Sequence, residues 1–578
     1  MKKKILQMLF LCALFTTSVL AQRTVSGVVK DDLGESLPGV NVIVVGTTQG
    51  SITDLEGNFS IEVPGDESVL RFSYVGMETQ DVTVGSRTVI NVTLATLSVG
   101  LDEVVVTALG ISRETKSLGY SVGEVDGEDL TNVPQENIMN SLAGRVSGVA
   151  INSTAGPGSS VSMVIRGASS LTSDNQPLFV VDGIPMNNTL NNVTEMARDT
   201  KVDYGNAISD INPEDIESIS VLKGPSAAAL YGSRAGNGVV LITTKSGKKS
   251  KGVGITITSN TVIENPYKYL EKHTLMANGR RPYTQDNRPN NGLPYYAVPA
   301  GDSYWVGPEL DKGMMAYQWP FLDANGDLVA TPLVSHPDNA KNFFETGYTT
   351  TNGVSITNAT DKINYRLSYN NMQNKGMIPN SDLHRNTLSL NSSVKILDNL
   401  SVSSSINITN TGADNRPAGN RGANPMQYLY DVNPHLNILD MKNYWEEGKE
   451  GIQQAGPYNL VVNPDGTYGK DDMMNNPYFI ANEINNPFTR NRVYGNIIVD
   501  WEIISGLSLM ARYNHEQYNE QRETKIAPSY SNEPNGFYGV NNYFRKEQNA
   551  DFLFTYKKTA GDFNISASAG GNYMYQYA

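Results

Sequence analysis

The chain has 578 residues and a formal net charge of −14, long enough for several domains and too acidic to bind nucleic acid by neutralising phosphates. Hydrophobic residues make up 39 %, and the 52 glycines and 30 tyrosines suit strands and turns better than a helix bundle. The basic cluster Lys245-Ser-Gly-Lys248-Lys249-Ser-Lys251 has the composition of a solvated linker rather than of a phosphate-binding stripe.

Residues 1–21 read as an export signal. Lys2-Lys3-Lys4 supply its positive end, residues 5–20 are mostly apolar, and Val19-Leu-Ala21 offers small side chains for cleavage before Gln22. The single cysteine, Cys12, falls inside this segment. Bulky Leu11 in front of it disfavours a lipid anchor, so the mature chain is expected to lack cysteine and to be held by packing and strand pairing. No later stretch reaches the ~18–20 apolar residues of a spanning helix, which leaves a soluble protein or a barrel.

Residues 22–98 carry β-branched runs at 24–29, 39–45, 57–63, 69–75 and 89–94, separated by turn clusters such as Asp31-Asp32-Leu33-Gly34. This spacing predicts a β-sandwich. Residues 99–114 hold Leu101-Asp-Glu-Val-Val-Val-Thr107, whose valines favour an extended strand. It reads either as an unpaired segment open to a partner's sheet edge or as one more strand of the sandwich.

Residues 115–247 predict a compact α+β unit. Residues 128–143 have helical spacing, and 162–167, 177–185 and 238–244 read as strands, with Asp182-Gly183 a tight-turn signal. A helix start at Asn212-Pro-Glu-Asp runs into a strand ending near Leu222, and 224–232 reads as a short helix.

From 252 to 578 the pattern changes to long strands alternating every second residue. Tyr365, Leu367 and Tyr369 share one face, Arg366, Ser368 and Asn370 the other; Phe552, Phe554 and Tyr556 likewise oppose Asp551, Thr555 and Lys557. Short turns at 358–362, 396–400, 503–506 and 558–562 alternate with long loops at 264–346, 374–384, 412–489 and 521–545. Short turns on one side and long loops on the other mark an outer-membrane barrel.

Together these features resemble the SusC/RagA family of TonB-linked outer-membrane transporters. The run from Ile211-Asn-Pro-Glu-Asp through Val221-Leu-Lys-Gly-Pro-Ser and Leu230-Tyr-Gly-Ser-Arg-Ala-Gly-Asn-Gly238 looks like that family's plug signature. Gly144-Arg-Val-Ser-Gly-Val149, Ile165-Arg-Gly167 and Val181-Asp-Gly-Ile-Pro185 precede it in the expected order. The first domain resembles a carboxypeptidase-regulatory-like sandwich. Asp102, Glu103, Val104, Val105, Val106 and Thr107 look like the box that TonB grips.

The resemblance implies a mainly β chain: a β-sandwich, an α+β plug and an incomplete transmembrane antiparallel barrel of about 9 of the family's about 22 strands. Strands ~4.8 Å apart and tilted ~40° close nine of them to a diameter of only about 18 Å. A plug of this length is roughly 36 Å across by radius-of-gyration scaling. The nine are therefore expected to form an open wall with raw edges near 253–263 and 562–577.

The function implied is TonB-energised import of an oligosaccharide or peptide across the bacterial outer membrane. The partners implied are TonB, a SusD-like surface lipoprotein and outer-membrane lipid, with no cofactor or metal. The candidate plug residues are Arg166, Gly167, Asp182, Gly183, Lys223, Gly224, Gly232, Arg234 and Gly238. Arg166 and Lys223 are expected either to pair with carboxylates of the plug or wall or to be ordinary surface charges. A signal-relaying receptor and a surface adhesin are the rival readings.

Enzyme motifs fail. His515-Glu516 lacks a second histidine, because position 519 is Asn, and the glycines around Gly232 match neither nucleotide-binding fingerprint. Asp323-Ala-Asn-Gly-Asp327 imitates a calcium loop, but Val334 stands where its glutamate belongs, which leaves a plain turn. Tyr295, Tyr296, Tyr304, Trp305, Trp319, Tyr444 and Trp445 lie in the long loops, suited either to stacking on substrate or to packing within the loops.

Overall fold

A computed structural model describes residues 23–578 apart from 33, 48, 75–76, 96–103, 107–111, 115–120, 132–136, 154–157, 169–174, 187, 189–192, 199, 225–230, 248–252, 280–294, 300–305, 324, 420–421, 472 and 562. The chain divides into two compact units, Met1–Val105 with Ser112–Leu118, and Val106–Ile111 with Gly119–Ala578.

The first unit contains the expected sandwich. Arg23–Asp31 lies between Asn58–Val63 and Val92–Leu94 in one sheet. The second sheet orders Gly50–Ile52, Asn41–Val44, Val69–Ser73 and Gln80–Thr83, of which the first and last were too short and polar to stand out in the sequence. Strict alternation, as in Asn58–Val63, sends Phe59, Ile61 and Val63 inward to meet Val42, Leu70 and Phe72. Phe59 and Phe72 pack edge to face at 5.2 Å.

Val104–Val106 forms a strand paired with Ser112–Glu114 in a two-stranded sheet. Of the sequence's two readings, neither an unpaired segment nor a further sandwich strand describes this arrangement. Asp102, Glu103 and Thr107 lie outside the described residues.

The second unit holds an α+β domain and a long curved wall. The domain's five-stranded sheet runs Ser121–Asp126, Ile216–Lys223, Val239–Thr244, Leu178–Val181 and Ile184–Met186. Its central strands are apolar on both faces, and two clusters cover them: one around Phe179, Val221 and Ile242, the other around Val180, Leu222 and Leu241. The helical stretch read at 128–143 is two short helices, Gly127–Thr131 and Ile138–Ser141, with Pro134 in the sequence between them. The helix read at 224–232 falls largely outside the described residues.

Nine long strands form the wall in chain order: Gly254–Glu264, Gly347–Ala359, Ile363–Lys375, Asp382–Leu397, Leu400–Ala413, Phe488–Ile504, Leu507–Ile526, Phe537–Ala560 and Phe563–Tyr577. All neighbours are antiparallel, and among the described residues the first and last do not pair, so the sheet is open. The short turns fall where the sequence placed them. One loop does not: the stretch read as 521–545 is mostly ladder, with Glu520 opposite Tyr543 and Arg522 opposite Asn541. Its charged and amide side chains mimic loop composition, but those of Glu520 and Arg522 face the domain and are buried.

Alternation sets the two faces of the wall. Leu367, Tyr369, Ile408, Val493, Phe552 and Tyr556 are exposed on the outside, while Arg366, Ser368, Asn370, Arg490 and Arg492 are buried against the α+β domain. Apolar side chains outside and polar ones inside invert a soluble protein and match a lipid-facing band. Among the described residues no helix is long and apolar enough to cross a membrane.

Candidate functional site at the boundary between domain and wall

The α+β domain meets the wall through three carboxylates, each placed by a tight backbone feature. Asn212 caps a single turn of 3-10 helix, Pro213–Asp215, by accepting from the Glu214 N–H, with Pro213 in the position where an N–H is dispensable. This turn aims Asp215 at the wall. Arg366 donates to Asp215 at 2.6 Å, Ser368 at 2.7 Å, Asn370 at 3.3 Å and Ser389 at 3.4 Å. Arg366, Ser368 and Asn370 are successive inward positions on one strand, so period-two alternation delivers three donors to one carboxylate.

A second 3-10 turn, Ala207–Asp210, ends in Asp210. Arg490 and Arg492 approach its carboxylate at 3.4 and 3.3 Å, and Thr411 donates at 3.0 Å. Both arginines also donate to backbone carbonyls of the same segment, Tyr204 at 3.0 Å and Ala207 at 2.9 Å. Behind them, Glu520 accepts from Arg490 at 2.9 Å and from Arg522 at 2.7 Å, and Glu516 pairs with Arg492. The Arg522 guanidinium lies 4.4 Å from the Tyr204 ring and 4.5 Å from that of Tyr543.

The third carboxylate is Asp182. Val181 pairs with Ile184, so Asp182-Gly183 is a two-residue hairpin turn, and both residues have positive φ, 48° and 81°. The positive φ favours glycine at 183, and a Cβ there would lie 2.5 Å from the Arg512 guanidinium of the wall, which would have to shift. The Asp182 carboxylate accepts from Thr244 Oγ1 at 2.6 Å and from Ser405 of the wall at 3.0 Å, and its carbonyl accepts from Asn496 at 2.7 Å. Burial pushes this carboxyl above its ordinary range, against the hydrogen bonds from Thr244 and Ser405.

One contact runs the other way. Arg234 of the domain forms a bidentate pair with Glu547 of the wall, 3.1 and 3.2 Å. Tyr494 of the wall inserts into the domain's main apolar cluster.

Asp182 and Arg234, among the residues singled out from sequence, therefore touch the wall. Of the two readings of Arg166 and Lys223, carboxylate pairing or an ordinary surface charge, pairing is not seen among the described residues. Lys223 is buried and donates to Ser147 at 3.1 Å, Arg166 is exposed, and among the described residues neither has an ion pair. Burial, and then the charge of Arg166, push the Lys223 ammonium below its ordinary value. The sign of the boundary is thus mostly the reverse of the expected one: the domain supplies carboxylates and the wall supplies arginines. Gly167, Gly224, Gly232 and Gly238 all have positive φ and lie in turns or at strand ends.

Sequence reasoning missed Asp210, Asp215, Arg490 and Arg492 as partners. The signal available was arginine at inward positions of membrane strands, where a buried cation demands a counter-charge. The loop aromatics divide similarly. Tyr296 and Trp319 pack in loop clusters, and Tyr444 and Trp445 pack on Phe479, whereas Tyr295 is half exposed beside Tyr317. Tyr304 and Trp305 lie outside the described residues. Asp323 makes a plain turn, its carboxylate accepting the Asn325 and Asp327 N–H groups at 2.9 Å. Among the described residues no group of three or more His, Cys, Asp or Glu side chains converges as metal ligands would.

Two known domain families match this chain: the TonB-dependent receptor plug domain over residues 114–239 and the carboxypeptidase-regulatory-like domain over 25–106. TonB-dependent receptor P39 of Formosa agariphila is 41 % identical over 245 residues, 42 % of this chain and 22 % of that protein. TonB-dependent receptor SusC of Bacteroides thetaiotaomicron is 28 % identical over 577 residues, 98 % of this chain and 52 % of that protein. The RagAB peptide importer in its open-open state shares the fold, with a TM-score of 0.56 and 22 % identity over 82 % of this chain and 49 % of that one. The chain spans about half the length, or less, of the curated relatives it matches.

Proposed function

Because the chain belongs to the SusC/RagA type of TonB-dependent outer-membrane receptors, we propose that its α+β domain is a plug gating TonB-energised import of a nutrient. The nutrient class is an oligosaccharide or a peptide, captured outside by a SusD-like lipoprotein. The boundary between plug and wall carries this reading. Asp182, Asp210 and Asp215 sit among wall donors that satisfy them, which is how a closed gate is held in register without being welded shut. Buried ion pairs contribute little net stability, yet each constrains geometry strongly, so such a boundary is specific and still separable by a modest pull.

The pull would enter through Val104–Val106. Main-chain pairing of this segment with Ser112–Glu114 supports its readiness to take a strand neighbour, the mode by which TonB would grip it. Force along the chain then reaches the plug directly, since the plug sheet begins at Ser121.

The test is uptake of labelled oligosaccharides and peptides by cells carrying a full-length version, with TonB present or deleted. Import that continues unchanged without TonB overturns the proposal.

A further inference from the structure

Two cavities lie between the plug and the first strands of the wall, of about 460 and 610 Å³, and they share the residues Glu214 and Thr258. The larger reaches Glu264 and Met377, at the end of the wall where the long loops begin. The smaller reaches Lys245 and Thr357, at the end with the short turns. Placed end to end, they follow the first wall strand along its length.

We propose that these cavities are the resting halves of a passage for a polar, uncharged or cationic solute, which TonB joins at a waist between Glu214 of the plug and Thr258 of the wall. The inference rests on the gated-import reading and adds the side of the plug on which the solute moves and the charge it tolerates.

Three observations carry it. First, the wall here presents hydroxyls and amides, interspersed with the apolar Val262, Val354 and Met372. Thr256, Thr258 and Asn260 line the cavities from the first strand, and Thr351, Ser355 and Thr357 from the second, while Ile255 and Ile263 are exposed. Groups that donate and accept at regular spacing replace water for a solute rich in hydroxyls or amides without binding it tightly at one point.

Second, a glycine at the waist leaves room for the wall's own polar side chains. Gly353 pairs with Thr258 across the ladder, and a Cβ on it would press on Asn370 and lie 2.6 Å from Thr258 Oγ1. On the sixth and seventh strands, by contrast, the bulky side chains of Arg490, Arg492, Tyr494 and Arg522 are buried.

Third, the lining is acidic. Asp126, Glu128, Glu214 and Glu217 line the smaller cavity together with Lys245, and Glu264 lies at the far end of the larger. The two other cations, Arg366 and Arg385, are committed to the plug, one to Asp215 and the other to the Ser209 carbonyl. A passage of this sign attracts cations and repels anions. Burial lifts the Glu214 carboxyl above its ordinary range, with the nearby Lys245 opposing the shift.

The experiment places one cysteine in a full-length protein otherwise free of cysteine, at Thr258→Cys in the waist or at Asn514→Cys on the seventh strand. Surface abundance confirms that each variant inserts. Intact cells with and without TonB are treated with the cationic trimethylammonium-ethyl methanethiosulfonate or the anionic sulfonato-ethyl reagent, each rate normalised to free cysteine. The expected result is that Thr258→Cys reacts several-fold faster when TonB is present, with the cationic reagent several-fold ahead of the anionic one, while Asn514→Cys changes little. Equal acceleration at both positions overturns the passage while leaving gating intact. An anionic reagent that leads at Thr258→Cys overturns the charge preference. No response to TonB at either position sinks the gating reading, and the passage with it.

Discussion

Arg366 of the wall and Asp215 of the plug meet at 2.6 Å with their side chains only 7 % and 5 % exposed, although 151 residues separate them in the chain. Three further wall donors surround the same carboxylate, so Asp215 accepts from four side chains of the wall.

Removing one charge of this pair strands the other. Asp215→Asn should cost about 3–5 kcal/mol at the boundary, because Arg366 stays buried without a counter-charge. Hydrogen exchange across 207–223 should rise, and cells should admit large antibiotics that the closed gate excludes. The double variant Asp215→Asn, Arg366→Met should recover much of the loss. A single variant with unchanged exchange and permeability would show that the pair is not holding the plug.

The handle is testable at one residue. Val105→Pro removes a main-chain donor from the strand Val104–Val106 and should abolish both energised uptake and capture by the periplasmic part of TonB, without lowering the amount in the membrane. Uptake at the parental rate would move the handle elsewhere in the chain.

The sandwich should be an independent folding unit. Residues 23–97 bury their own core of Val25, Val42, Phe59, Leu70 and Phe72, and the excised piece should give dispersed amide resonances. Phe72→Ala in that piece should cost about 3–5 kcal/mol, measured by urea unfolding. Random-coil shifts from the parental piece would refute the boundary.

Acid should loosen the loop cluster around His435. Its ring is buried, with burial and the nearby His336 and Lys272 lowering its pKa from 6.5 to about 3. Burial likewise lowers Lys272, which donates to the Val432 carbonyl, to about 8. For both groups the unfolded chain binds the proton more tightly than the folded one, so stability rises with pH through each window and falls on acidification. For His435 that loss runs from about pH 6.5 down to about 3. Exchange in 432–441, corrected for its intrinsic rate, should increase between pH 7.5 and 5, and His435→Leu should remove that increase.

The elements of the wall were legible because period two is a local property. Leu367 and Tyr369 against Arg366, Ser368 and Asn370 is visible in five consecutive residues. Which carboxylate answers which arginine is not, because Asp210 and Arg490 lie 280 residues apart and only the fold brings them together. The strand ends near 521–545 were obscured for a related reason: lumen-facing strand residues and loop residues share one polar composition. The two helices at 127–141 were blurred into one by continuous apolar spacing across Pro134. The neighbour of Val104–Val106 was invisible because Ser112–Glu114 has no β-branched residue to announce a strand.

The seventh and eighth wall strands contain 20 and 24 residues, where a membrane strand needs about 9–11. At ~3.3 Å per residue and a tilt of ~40°, 24 residues rise about 60 Å, against an apolar band of about 25 Å. The surplus lies on the side of the long loops, since the opposite ends of both strands close in short turns. The hairpin therefore projects as a jetty about 30 Å beyond the lipid, the height of a small folded domain. Any contact made at its tip is therefore made clear of the headgroups, a domain's height above the apolar band.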